Sequence, residues 1–163
     1  MLEISSWFQA IDKTRRGSIT ANEIQQCTFG GVPLGFEVAQ KLVRVFDKDR
    51  SGQIDFYEYA AMHKFLALMQ QAFFAGDLKR SGRLDAREIH IALGVGAMTV
   101  SLPAVESLYT YYNKDGFGCS FPDFLKMVTH IARAKSVFEW EDTGRTGTIA
   151  INFEKFLQMS GGI

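Results

Sequence analysis

The chain has 163 residues, 18 basic and 18 acidic side chains that give zero formal net charge, and 47% hydrophobic residues including 14 Phe. That is ample apolar material for one compact domain or two small lobes. The charge balance excludes the basic surplus of a nucleic-acid reader, and it is not the acidic balance of a pure Ca²⁺ buffer.

Two cysteines, Cys27 and Cys119, stand at neither a disulfide-framework nor a zinc spacing, which points to a reducing compartment. Glu3 and Asp12 leave no visible signal peptide, and no apolar run reaches the roughly 18 residues of a membrane span.

In chain order, Asp12–Glu23 reads DKTRRGSITANE. Gly17 stands at position 6 and Ile19 at position 8, as in the twelve-residue EF-hand loop. Its oxygens are Asp12, Thr14, the Ser18 carbonyl, Thr20 and Glu23, but position 5 is Arg16, long enough to swing out to water. Gly30-Gly31-Val32-Pro33-Leu34-Gly35 then breaks the chain, so the gap before the next loop holds two helices and a linker.

After a helix over 36–46, Asp47–Glu58 reads DKDRSGQIDFYE and is complete. Asp47, Asp49, Ser51, the Gln53 carbonyl, Asp55 and a bidentate Glu58 fill positions 1, 3, 5, 7, 9 and 12. Gly52 permits the sharp bend, and Ile54 faces away from the ion toward a partner loop. Residues 59–76 contain no Pro and carry Phe65, Leu66, Met69 and Phe73 at helical spacing, which predicts one continuous helix into the next loop.

Asp77–Glu88 reads DLKRSGRLDARE, with Asp77, Ser81, the Arg83 carbonyl, Asp85 and Glu88 as oxygen donors. Position 3 is Lys79, whose ammonium either leaves the loop or folds in and replaces part of the ion's charge. Gly94-Val95-Gly96 and Ser101-Leu102-Pro103 split the following gap into two helices. Asn113–Asp123 is one residue short, with Phe117 at position 5 and a short Asp123 in place of Glu, so it is expected not to bind. A helix over 124–141 leads to Asp142–Phe153, which keeps only Asp142 as a ligand and is expected to be structural.

The loops begin at 12, 47, 77, 113 and 142, at alternately long and short intervals. That phase marks a duplicated unit with one extra copy. The expected fold is all-α, five EF-hand helix–loop–helix repeats over 1–163, with about eight helices and short β-pairing between loops.

Five phased loops resemble the penta-EF-hand family over nearly the whole chain. Trp7-Phe8-Gln9-Ala10-Ile11-Asp12, Glu23-Ile24-Gln25-Gln26, Phe46 through Gly52 and Phe156-Leu157-Gln158-Met159 resemble its peflin and programmed-cell-death-6 branch. The resemblance implies pairing of hands one with two and three with four. The fifth is left to pair with another subunit through Thr148, Ile149 and Ala150, beside Phe153 and Phe156. It also implies a Gly/Pro-rich N-terminal tail that is not in this sequence; Met1 favours a short protein over a removed tail. In that branch the first and third hands are the main calcium sites, whereas here they carry Arg16 and Lys79. The main site is therefore expected at 47–58.

His63, His90 and His130 lack metal spacing, Cys27 and Cys119 read as buried small hydrophobes, and Tyr109, Tyr111 and Tyr112 read as core. Gly94-Val95-Gly96 is a helix stop, and no nucleophile–base pair suggests an enzyme.

The expected role is a cytoplasmic, calcium-responsive adaptor that exposes an apolar surface, with Met62, Phe65, Leu68 and Met69 as its candidates. The resemblance implies proline-rich or hydrophobic partner segments and reversible, calcium-dependent membrane association. The alternatives are a regulatory subunit of an enzyme, as in the calpain small subunit, or a calcium-insensitive scaffold.

Overall fold

A computed structural model describes residues 2–160 of the chain. Eight helices are seen among them: α1 (Leu2–Ile11), α2 (Ala21–Ile24), α3 (Gly35–Phe46), α4 (Phe56–Gly76), α5 (Ala86–Val95), α6 (Leu102–Tyr112), α7 (Phe121–Glu141) and α8 (Phe153–Ser160). Short strands β1 (Ser18–Ile19), β2 (Thr28–Phe29), β3 (Val32–Pro33) and β4 (Ile54–Asp55) complete it. No described helix is long and apolar enough to cross a membrane.

Each long helix starts where its loop ends, for a local reason. Asp55 caps α4 by accepting the Glu58 N–H (2.8 Å), while Glu58 accepts the Asp55 N–H (3.0 Å). Asp85 and Glu88 repeat this capping box on α5 (2.9 and 2.9 Å). The last ligand of each loop is thus also the third residue of a helix, where the helix dipole favours its negative charge.

The helices bury one face. Tyr59, Met62, Leu66, Met69 and Phe73 form the buried stripe of α4. Phe73 meets Phe121 and Phe124 of α7 at ring-centroid distances of 5.3 and 5.6 Å. A connected cluster of buried residues runs from Phe8 to Val128 and so joins the first four hands. Gly76 lets α4 approach α5, since a Cβ there would lie 2.7 Å from the Glu88 carbonyl oxygen and 2.8 Å from the Ala92 Cβ. Beyond Thr129 the buried positions cease: Trp140 is exposed, and α8 buries no residue.

Loops one and two pair antiparallel through Ser18↔Asp55 and Ile19↔Ile54. Loops three and four meet at one bridge, Leu84↔Cys119, closed by N–H···O bonds of 2.9 and 2.8 Å.

The gap after the first loop departs from expectation. The two expected helices are there, but the first, α2, is a single turn, and the linker before α3 is a hairpin of β2 and β3. Gly30 and Gly31, both at positive φ (62° and 79°), make its turn, a conformation that suits the twist of a two-residue hairpin.

Candidate metal centre

Every loop is built on one scaffold. In the first, second, third and fifth loops the first residue accepts N–H groups from positions 5 and 6. For Asp47 the donors are Ser51 (3.0 Å) and Gly52 (2.8 Å). For Asp12, Asp77 and Asp142 they are the equivalent pairs, at 2.7 to 3.0 Å. Position 4 is left-handed throughout: Arg15, Arg50, Arg80 and Arg145 at φ 51–60°, and Gly116 at φ 76°. That conformation is strained for a non-glycine residue, and the carboxylate's grip on two N–H groups offsets the cost.

The shortened fourth loop keeps this scaffold through Gly118, whose N–H donates to Asn113 Oδ1 (2.9 Å). Cys119 then pairs where the other loops place position 8. The missing residue is therefore position 7, next to the pairing strand.

In the second loop Asp47, Asp49 and Glu58 each bring a carboxylate oxygen within 4.8 Å of the others. Ser51 Oγ lies 3.5 Å from Asp47 Oδ1 and 3.3 Å from the Gln53 carbonyl oxygen. The Ser51 hydroxyl and N–H hold the Asp49 carboxyl below its usual range, so it stays ionised. Asp55 stands behind this group as the α4 cap. The donor set is all oxygen and strongly negative, which suits a hard divalent ion that takes six to eight oxygens. Bound there, Ca²⁺ would neutralise converging carboxylates that otherwise repel one another.

In the first, third and fourth loops a cation of the protein rests on the loop's carboxylates. Arg16 folds onto Glu23 (3.2 and 3.1 Å to its two oxygens) instead of swinging out to water. Lys79 folds in and bonds Asp85, with Glu88 Oε2 at 3.7 Å. In the fourth loop Arg83 Nη1 donates to Asp115 (2.9 Å) and to the Gly118 carbonyl (2.8 Å), and Lys126 bonds Asp123 (3.2 Å). Among the described residues, no ion pair places a Lys or Arg on Asp47, Asp49, Asp55 or Glu58. Loop spacing marks Arg83 only as a carbonyl donor; its side-chain partner Asp115 lies 32 residues away, and no local signal marks the pair.

Comparison with known proteins fits this geometry. An EF-hand domain pair model matches residues 3–64. Penta-EF hand domain-containing protein 2 of Dictyostelium discoideum is 41% identical over 152 residues, covering 93% of this chain and 74% of that protein. The chain belongs to the penta-EF-hand family. It is a calcium-binding protein. Peflin of Danio rerio is 30% identical, covering 95% of the chain, which spans 59% of peflin's length. Human sorcin is 28% identical over 87% of the chain and 74% of sorcin. The solved structure of a homolog of programmed cell death 6 protein from Leishmania major Friedlin superposes with a TM-score of 0.69 at 29% identity, over 98% of this chain and 92% of that one.

In this penta-EF-hand chain the fifth loop has no strand partner among the described residues. Thr148 and Ala150 are exposed, Ile149 is half-buried, and Phe153 and Phe156 are 69% and 54% exposed. The apolar surface expected on α4 needs correction. Met62 and Met69 are core residues, Phe65 is half-buried against Phe46 (5.4 Å), and Leu68 is exposed. Helical spacing cannot say which side of α4 the core takes.

An open apolar groove of about 660 Å³ is lined by Trp7, Ile11, Phe29, Tyr59, Met62 and His63. His63 stacks among Trp7, Phe29 and Tyr59 at 4.7, 5.6 and 6.0 Å. Cys119 is buried, which pushes its thiol up to about 12, and Cys27 is half-buried. Tyr112 is core, but Tyr111 is exposed.

Proposed function

We propose that this protein is a calcium-responsive adaptor whose principal site is the second loop. Asp47, Asp49, Ser51, the Gln53 carbonyl, Asp55 and Glu58 bind the ion. One observation supports this reading: the second loop's carboxylates converge, and among the described residues no Lys or Arg pairs with them. The first and third loops keep oxygen ligands (Asp12, Thr14, Ser18, Thr20 and Glu23; Asp77, Ser81, Arg83, Asp85 and Glu88). Arg16 and Lys79 stand on those ligands, which leaves the second loop as the principal site.

Loading draws Glu58 toward the other ligands, and Glu58 is part of α4. Tyr59, Met62, His63 and Leu66 lie on the same helix and line the apolar groove. A change in the helix angle therefore alters the groove, which accepts a hydrophobic or proline-rich segment of a partner protein. The fifth hand pairs with a second copy through Thr148, Ile149 and Ala150 of its loop and the exposed Phe153 and Phe156 of α8. This role places the protein in the cytoplasm, with calcium-dependent association with membranes.

Isothermal calorimetry and an apolar dye test the proposal together. Wild type is expected to bind Ca²⁺ and to gain dye fluorescence in Ca²⁺ relative to EGTA. Glu58→Gln is expected to lose both. Undiminished binding in Glu58→Gln would move the site elsewhere, and unchanged wild-type fluorescence would favour a calcium-insensitive scaffold.

A further inference from the structure

Lys79 occupies the loop position where the second loop has Asp49. Much of the third loop repeats the second loop's hydrogen bonds, but the Lys48 N–H that donates to Glu58 Oε1 (2.8 Å) has no counterpart on Glu88 Oε1. Asp77 accepts from Ser81 N–H (2.9 Å) and Gly82 N–H (2.8 Å), and the Ser81 hydroxyl donates to the Arg83 carbonyl (2.7 Å). Asp85 and Glu88 form the same capping box as Asp55 and Glu58. The two loops share a frame and differ in what faces the ligand oxygens. In the second loop it is a third carboxylate; in the third it is an ammonium bonded to Asp85 and 3.7 Å from Glu88.

The Glu88 side chain is only 5% exposed, and its Oε1 is buried without a hydrogen-bond partner. A buried carboxylate is costly unless a positive charge or donors compensate it. Lys79 is the cation beside it. The fourth loop is neutralised in the same manner by Arg83 on Asp115 and Lys126 on Asp123. The third and fourth hands thus carry their own counter-charges.

We propose that Lys79 is a tethered stand-in for the calcium ion: it holds the third hand in its ordered arrangement without metal and keeps calcium out of that loop. An ammonium supplies one charge and three donors, where Ca²⁺ supplies two charges and six to eight contacts. Because it is attached to the chain, its occupancy does not follow the calcium concentration. Hands three and four then form a calcium-indifferent platform, and α4, packed on α5 through Gly76, joins the responsive second hand to it.

The test uses the full chain and Ca²⁺ alone, by calorimetry and thermal melting. Lys79→Asn puts an oxygen at position 3. It is expected to raise the calcium stoichiometry by one, to melt several degrees below wild type in EGTA, and to recover in Ca²⁺. Adding Glu88→Gln to that variant should remove the extra ion. Glu88→Gln in the wild-type background should leave the stoichiometry unchanged, a comparison that stands even where Lys79→Asn folds only with calcium.

A wild-type chain that loses an ion with Glu88→Gln overturns the proposal, as does a Lys79→Asn chain that gains none. The proposal rests on the second-loop reading only for the wild-type count. Retained binding in Glu58→Gln sinks that reading and leaves the Lys79 comparison intact.

Discussion

Ile19 and Ile54 face each other as antiparallel partners, each fully buried, and tie the first loop to the second. Beside them the Ser18 hydroxyl bonds Gln53 Oε1 (2.5 Å). The pair belongs to the core cluster, so truncation removes packing where the surroundings can relax only in part. Ile54→Ala is expected to cost about 2–4 kcal/mol in urea denaturation. It is also expected to weaken calcium binding, because the second loop loses the neighbour that fixes its strand. A loss under about 0.5 kcal/mol would show that the pairing is not a structural joint.

His63 gives a pH test. Burial among Trp7, Phe29 and Tyr59 pushes its imidazole below the ordinary 6.5, and its Nε2 is buried without a hydrogen-bond partner. The folded state therefore holds the ring neutral where the unfolded chain would protonate it. Its contribution to stability is complete above pH 6.5 and falls as pH drops through the depressed folded value. NMR titration should place the His63 midpoint below 6.5, and His63→Phe should flatten the stability profile between roughly pH 7 and 5. A midpoint at or above 6.5 would contradict the burial argument.

The fifth hand predicts assembly. Phe153, Phe156 and Leu157 are large apolar side chains exposed on a helix that buries nothing, next to an unpaired loop segment. Such a face favours a two-fold contact between copies. Light scattering is expected to find a dimer for the wild type. Phe153→Asp with Phe156→Asp should give a monomer of unchanged helical circular dichroism. A wild-type monomer would leave that face to a different chain.

What the sequence determined was whatever depends on neighbours within one loop or one helix. The ligand spacing of Asp47–Glu58, the five-loop phase and the helix from the second loop into the third are all local. So is the Asp55–Glu58 cap, because three residues along a starting helix are already in reach. The Gly30-Gly31 hairpin was legible too, as a two-glycine turn between β-formers, but it read only as a break. The folded structure decided between the options open to Arg16 and Lys79, where the Arg83 charge rests, which side of α4 is core, and that Trp7, Phe29 and His63 line one groove. Long flexible cations can reach water or carboxylate alike, and a helix period marks a stripe without naming what covers it. Only packing chooses between those outcomes, and here, among the described residues, it placed no Lys or Arg on the second loop's carboxylates.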